Sequence, residues 1–482
     1  MIKKFFLYVL LAVILLSAVL VINTFTKTSA QMRVEAKPAP EITASALQHF
    51  KEALTFKTIS HGDRNQFDSA QFLGFRNFLE RAYPNFHAKT TREIVNGYTL
   101  LYTWKGKNPA LKPIVLMAHQ DVVPIEEGTE SLWTVDPFAG EIRDGFIWGR
   151  GTTDDKINLI SLLEAAEKLM QNNFQPEQTI YFSFGHDEEV GGSGAIAVAA
   201  LLKERGVEAE FVMDEGGIIT TNQIPGITKP VALLGTSEKG FLSIRLSVEK
   251  AGGHSSMPAP ETAIDILTNA IVRLRANPFE ARFSESMSGF IESLGPEMPF
   301  VQRMAFANPW LFKGMIVGIY ESSPGGNAMV RTTVAPTIIQ AGMKDNVIPT
   351  LATATINFRL LPGDKGEGVI NKVKEIIADD RVTISVYGEG FSEASAVTPM
   401  NSRGYQRIEK AIKTSYADLL TSPFLMIGAT DSRYFGEVSP NIIKFSPMID
   451  PIGFHGIDER VSLESFKTAL WFYEQLLTGS NP

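Results

Sequence analysis

Apolar runs that stop abruptly on an acidic or histidine side chain set the strongest limit on how this 482-residue chain can fold. The run in PIVLMAHQDVVP closes on His119 and Asp121, TIYFSFGHDEE closes on Glu188 and Glu189, and AEFVMDEGG closes on Asp214. Short continuous apolar strands are buried on both faces, the condition of a parallel sheet covered by helices. Such sheets place their chemistry outside the carboxyl ends of the strands. The same region is expected to collect Asp154 from GRGTTDDK and His455 from GFHGIDER. Two imidazoles and three carboxylates without a thiolate suit one or two borderline-hard divalent ions, zinc first, with cobalt or manganese as substitutes.

The predicted architecture is α/β, a mostly parallel sheet flanked by helices. Strands are expected near Ile114, Thr179 and Glu210, with helices over 156–170 and 194–204 between them. The pattern changes at Gly240. LSIRLSVEK alternates strictly, with Leu242, Ile244, Leu246 and Val248 on one face and Ser243, Arg245, Ser247 and Glu249 on the other. TATINFRL and VTISVYG repeat the rule, and helices with apolar residues at Ile264, Leu267, Ile271 and Leu274, and at Val369, Val373, Ile376 and Ile377, lie between. With TVAPTIIQA this makes β-α-β-β-α-β, a ferredoxin-like lid inserted into the larger domain. The expected division is 45–239 and 389–482 for the catalytic domain and 240–388 for the lid. The aromatic-rich stretch from Pro278 to Ser323 fits neither pattern and is read as packing for an enlarged lid.

The amino terminus is a different material. Lys3 and Lys4 precede a nearly unbroken apolar stretch from Phe5 to Ile22. Its length lies between a signal-peptide core and a bilayer span of about 20 residues. Residues 1–30 are therefore read as an uncleaved signal anchor, with a cleaved signal peptide as the alternative. Both export the rest of the chain, and the basic residues put the amino terminus in the cytoplasm. The catalytic body is expected on the extracytoplasmic side, whether periplasmic, secreted or lumenal. Residues 31–44, with EAKPAP, read as a linker lifting that body off the membrane. A net charge of −8 supplies no clustered cations for nucleic acid, so small molecules or peptides are the expected partners. The absence of cysteine removes disulfides and thiol nucleophiles.

Each polar position also has an ordinary explanation. In an extended segment His119 and Asp121 point to one side, so the carboxylate can orient an imidazole that binds metal, or simply satisfy a core histidine. Asp154 opens a helix and could be its cap. Adjacent acids such as Glu188 and Glu189 usually mean a solvated loop. Their side chains diverge, so one can bind an ion while the other faces the water that the ion activates. The joint occurrence of these groups at equivalent strand ends is what the ordinary explanations account for badly.

HQD, GRGTTDDK, GHDEEVGG, MDEGG, GGHSSMP, KDNVIP and the late HG, in this order over roughly Phe50 to Leu477, resemble the di-zinc aminoacylase, carboxypeptidase S and glutamate carboxypeptidase group of metallopeptidases. GHDEE, FGEVSP and the long lid segment look most like the branch holding carboxypeptidase S and the secreted N-fatty-acyl-amino-acid hydrolases. The resemblance implies two zinc ions. Asp154 would bridge them, Glu189 and His455 would complete one site, and His119 and Asp214 the other. It further implies that Asp121 orients His119, that Glu188 is the proton acceptor and that the Asp154 to Asp155 peptide is cis. His254 would stabilise the tetrahedral intermediate, often from a partner subunit, while Asn346 and Arg359 hold substrate. Gly428 and Arg433, in GATDSRYF, resemble a substrate-side loop. Asn357 departs from the pattern, since many relatives carry an acid there. The implied reaction is hydrolysis of an amide that releases an amino acid, as a carboxypeptidase or dipeptidase on short peptides. The alternative is an N-fatty-acyl-amino-acid hydrolase or synthase. From another class, a membrane-tethered metal-binding protein without activity is disfavoured by Glu188. Relatives commonly pair through lid strands, which leaves two alternatives, a homodimer through the lid or an extra segment that covers that edge.

Overall fold

The computed structural model describes residues 2–479; residues 1 and 480–482, at the ends of the expected first and last segments, lie outside the described residues. Its centre is the strand Ile114–His119, buried at every position. Ile180–Gly185 and Phe211–Asp214 flank it, both parallel to it, and Ile442–Lys444 continues the parallel run. The hairpin Thr91–Val95 and Thr99–Trp104 adds an antiparallel margin on one side. Val231–Glu238 and the edge strand Leu420–Met426, parallel to each other, complete the other side.

Alternation in the central strand sends its side chains to two cores. Ile114, Leu116 and Ala118 pack with Ile157, Ile160, Phe466 and Phe472 from helices on one face. Val115 and Met117 pack with Ala195, Val198 and Leu202 on the other. A sheet covered on both faces is what its continuous apolar strands require.

The second sheet has four antiparallel strands in the order Thr333–Ala341, Leu351–Leu360, Gly240–Glu249, Thr383–Ser392, backed by the helices Ala263–Ala276 and Gly366–Ile377. Leu242, Ile244, Leu246 and Val248 are all fully buried against those helices, as their alternation demands. The last strand does not end at Gly388. Opposite Leu242 and Ile244 it pairs through Phe391 and Val386, so residues 387–390 form a bulge, with Gly388 and Gly390 at φ +83° and +127°. Glycine there bends the strand without ending it.

Two segments depart from expectation. The aromatic-rich stretch does not enlarge the lid. It folds into the helices Glu285–Leu294, Phe300–Ala307 and Pro309–Glu321, and the first packs on the edge strand of the large sheet. Gly289 permits the approach, since a Cβ there would lie 2.8 Å from Pro423 on that strand. The lid strand Thr333–Ala341 is consequently left open, with Ile339 64% exposed. Nor does the linker lift the body away. Gln31 bonds Ser293 and Thr421 at 3.1 and 2.9 Å and accepts from Lys413 at 2.8 Å, and Lys37 bonds Thr414. A proline-rich composition suggested a spacer, but one glutamine amide straps it down.

Candidate active site

The loop before the helix Lys156–Gln171 is shaped from beneath. Gly151 stands at φ +89°, and a Cβ there would meet Val122 at 2.8 Å. The buried carboxylate of Glu459 accepts from the amides of Gly151 and Thr153 at 3.0 and 2.8 Å and from Arg150 at 2.6 Å. Arg150 also donates to the carbonyl of Gly456 at 3.1 Å, which ties this loop to the one carrying His455. The Asp154–Asp155 peptide is cis.

Asp154 thereby stands between two imidazoles. One of its oxygens lies 2.8 Å from Nε2 of His119 and the other 2.6 Å from Nε2 of His455. It caps nothing, and the helix that follows has no side-chain cap. Glu189 lies 3.4 Å from His455 Nε2. The other nitrogen of His119 faces Asp121, 3.0 Å from its carbonyl and 3.3 Å from its carboxylate. That carboxylate also accepts from Ser60 at 2.6 Å and from the amides of Glu188 and Glu189 at 3.2 Å. One buried acid orients the histidine and shapes the two-glutamate turn.

The structure places one expected ligand outside the cluster. Asp214 turns away, accepting from the amides of Glu215 and Ser432 at 3.0 and 2.8 Å. Glu215 takes the place expected for it, 3.3 Å from Nε2 of His119. Neighbouring side chains at a strand end diverge, so only one of the two can face the cluster. Asp155 is a second group the sequence reading passed over. His119, Asp155 and Glu215 form one set of ligand atoms within 4.8 Å of one another, and His119, Asp154 and Glu189 another.

Six carboxylates, Asp121, Asp154, Asp155, Glu188, Glu189 and Glu215, thus crowd two imidazoles. Burial, with Asp154 and Asp155 nearby, pushes Glu215 well above the usual carboxylate range. Burial also lifts Glu188, reinforced by Asp431, Asp121 and Asp154. Burial opposes charge on His119, but Glu215, Asp121 and Asp154 outweigh it and hold the imidazole well above its ordinary value. Asp154 and Glu189 push His455 up to about 10. Such an excess of buried negative charge is stable only beside cations. A buried oxygen of Glu189 has no hydrogen-bond partner, which is the signature of a ligand position. Nitrogen and oxygen donors without sulfur fit zinc, cobalt or manganese.

A cavity of about 1290 Å³ opens over this cluster. Asp154, Glu188, Glu189, Glu215 and His455 line one end, and Arg359, Gly428 and Arg433 line another part of its wall. The intervening wall is apolar, with Phe241, Phe391, Met426, Met448 and Phe454. Tyr387, Gly388 and Gly390 reach it from the lid bulge. Arg359 stacks its guanidinium 5.0 Å from the Phe241 ring, and Arg433 lies 4.7 Å from the Tyr434 ring. Behind them Lys444 and Glu238 form a buried pair at 3.3 Å. Glu238 also attracts Arg359 and Arg433, but neither guanidinium has an ion pair among the described residues, so both can meet an anionic ligand. Asn357, two residues before Arg359, binds Ser243 at 3.0 Å.

Two expected site residues lie elsewhere. His254 and Asn346 are exposed on the lid, on paired segments where the amide of Ser255 donates to the carbonyl of Asn346 at 3.1 Å. Neither lines the cavity.

Residues 115–479 match the model of the peptidase family M20/M25/M40. The chain belongs to this family. It is 39% identical to a probable carboxypeptidase S-like protein of Dictyostelium discoideum, covering 96% of this chain and 91% of the relative. It is 36% identical to the human N-fatty-acyl-amino acid synthase/hydrolase PM20D1, covering 93% and 90%. An M20 family metallo-carboxypeptidase from Sulfolobus solfataricus shares the fold with a TM-score of 0.65 at 18% identity, over 90% of this chain and 99% of that one. Like its family, the protein is a metallo-hydrolase acting on peptide or linear amide bonds.

Proposed function

We propose that this enzyme releases an amino acid with a free carboxylate from a short peptide or an N-acyl derivative, using two divalent cations, zinc in the first place. His119 and Glu215 would hold one ion, His455 and Glu189 the other, with Asp154 between. Bound there, such ions polarise the scissile carbonyl and bring the pKa of a water toward neutrality. Glu188 accepts that water's proton and passes it to the departing amine. It suits both steps because burial has raised its proton affinity and no hydrogen bond of its own competes. Arg359 and Arg433 hold the substrate carboxylate through charge-assisted bonds. His254 donates to the developing oxyanion once the lid, this chain's or a second copy's, closes on the cavity.

The observation that carries this reading is the shared cavity, with an acid-rich end for cations and two guanidinium groups on its wall for a carboxylate. Chelation should abolish turnover and added zinc restore it; full activity in metal-free enzyme would end the proposal. The apolar wall supports a second reading, in which the acyl group is a long hydrocarbon chain. Comparing kcat/KM for a dipeptide and for a long-chain N-acyl derivative of the same amino acid decides between them.

The helix Ile2–Thr26 is read as a membrane anchor. Its 25 residues span roughly 37 Å at 1.5 Å per residue, enough for a hydrocarbon core of about 30 Å. The catalytic body then faces the extracytoplasmic side, with the exposed lid strand Thr333–Ala341 as the edge through which a homodimer would pair.

A further inference from the structure

The end of the N-terminal helix is not a loose tether. Asn308, fully buried, accepts from Asn23 at 2.8 Å and donates to the carbonyl of Leu20 at 3.2 Å. Arg303 donates to the carbonyls of Thr24 and Lys27 at 3.2 and 2.9 Å. The Thr24 carbonyl lies in the last turn of the helix and Lys27 follows its end, where carbonyls lack intrahelical donors and a cation is favoured by the helix dipole. Phe25 packs on Phe300 with ring centres 6.1 Å apart. The helices Phe300–Ala307 and Pro309–Glu321 are thereby fixed beside the last turns of the apolar helix.

Beside that junction lies an apolar surface. In the helix Pro309–Glu321, Leu311, Met315 and Ile319 recur every fourth residue on one face and are 44%, 52% and 61% exposed. Trp310 is 60% exposed, and Phe300 and Val301 on the preceding helix are 49% and 69% exposed. The charges of this helix point elsewhere: Lys313 lies over the Phe283 ring at 5.6 Å and Glu321 pairs with Arg331. An uncharged patch of this size on a soluble surface marks an interaction site. Tryptophan with aliphatic neighbours is the composition of helices that lie in a bilayer interface.

We propose that this patch seats the catalytic body on the outer face of the lipid bilayer, so that the enzyme is docked on the membrane and not merely tethered to it. The proposal rests on the reading of Ile2–Thr26 as an anchor. Lipid is the occupant because the patch continues the exposed apolar side of that helix across a polar lock. The strapped linker leaves no slack that would hold the body at a distance.

The test uses the full chain in liposomes whose acyl chains are brominated near the headgroup. Of the five tryptophans, Trp104, Trp133 and Trp148 are buried and Trp471 is half-buried with its indole N–H on the Lys37 carbonyl, so Trp310 is the tryptophan placed to meet the bromines. Emission should fall relative to unbrominated vesicles. Trp310→Phe should abolish that fall while the circular dichroism spectrum and amide hydrolysis stay unchanged. Met315→Asp with Ile319→Asp should weaken it and expose Trp310 to acrylamide. Membranes are also washed with alkaline carbonate. A chain that resists the wash but shows no Trp310-dependent quenching overturns the docking and leaves the anchor standing. Trp310 shielded from both quenchers, with cross-linked dimers, assigns the patch to a second copy and overturns the docking equally. Release by carbonate refutes the anchor, and the docking falls with it.

Discussion

The sheet end and the lid treat their polar residues in opposite ways. At the sheet end, His119, Asp121, Asp154 and Glu459 are buried and each is held by two or more hydrogen bonds or ion pairs. On the lid, His254 and Asn346 are exposed, and the His254 ring bonds its neighbour Ser256 at 2.8 Å. Groups that must hold cations are positioned in advance, because reorganising charge in a dry site is costly. Groups that meet the substrate can be carried on an element that arrives with it. The division teaches where variants should damage chemistry, where they should damage folding, and where they should do only the first.

The sharpest test of a preorganised sheet end is Glu188→Gln. It should retain bound metal and the melting temperature, yet lose about 10²–10⁴-fold in kcat, the usual contribution of a general acid-base. Turnover and metal content measured on one preparation check this, and an active variant would remove Glu188 from the mechanism. Glu459→Ala probes the support. It strands Arg150 and two amides in a buried site, so unfolding should become easier by about 3–5 kcal/mol in a denaturant titration. A loss below 1 kcal/mol would mean that the loop is not held from beneath as described. His254→Ala should do the reverse, leaving stability within about 0.5 kcal/mol, as for exposed sites generally, while lowering kcat by about 10²–10³-fold. Equal damage to stability would place the lid histidine among the structural residues and erase the contrast.

How much of this was legible follows the same division. The length of IVLMA and IYFSF and the residues that end them identified the parallel sheet and the side on which its chemistry gathers, because burial on both faces leaves a strand few other readings. The alternation of LSIRLSVEK identified the lid for the same reason. The choice between Asp214 and Glu215 was not legible, since it depends on how the chain leaves the strand and not on residue type. Glu459 was hidden because its partners, Arg150 and Thr153, lie some 300 positions away. The sequence from Pro278 to Ser323 announced apolar packing but not its object, which the sheet edge at Pro423 supplies. Gly388 read as an ending because a bulge and a terminus both favour glycine.

A pH titration sharpens the comparison most finely, because the two imidazoles of the acid-rich cluster at the sheet end carry raised pKa values. In the metal-free enzyme His455 is held up to about 10 from 6.5 by Asp154 and Glu189, and His119 is raised as well. A group raised on folding stabilises fully below its unfolded value and loses that contribution as pH climbs through the folded one. The metal-free chain should therefore become less stable between pH 6.5 and about 10. Metal must displace these same protons, so its affinity should rise over that window, by about tenfold per pH unit for each proton released. Calorimetric titration with zinc in buffers of different ionisation enthalpy counts the protons directly. His254→Ala should leave that count untouched and His455→Ala should reduce it; a count of zero in the unaltered enzyme would mean that the cluster holds its cations by other means.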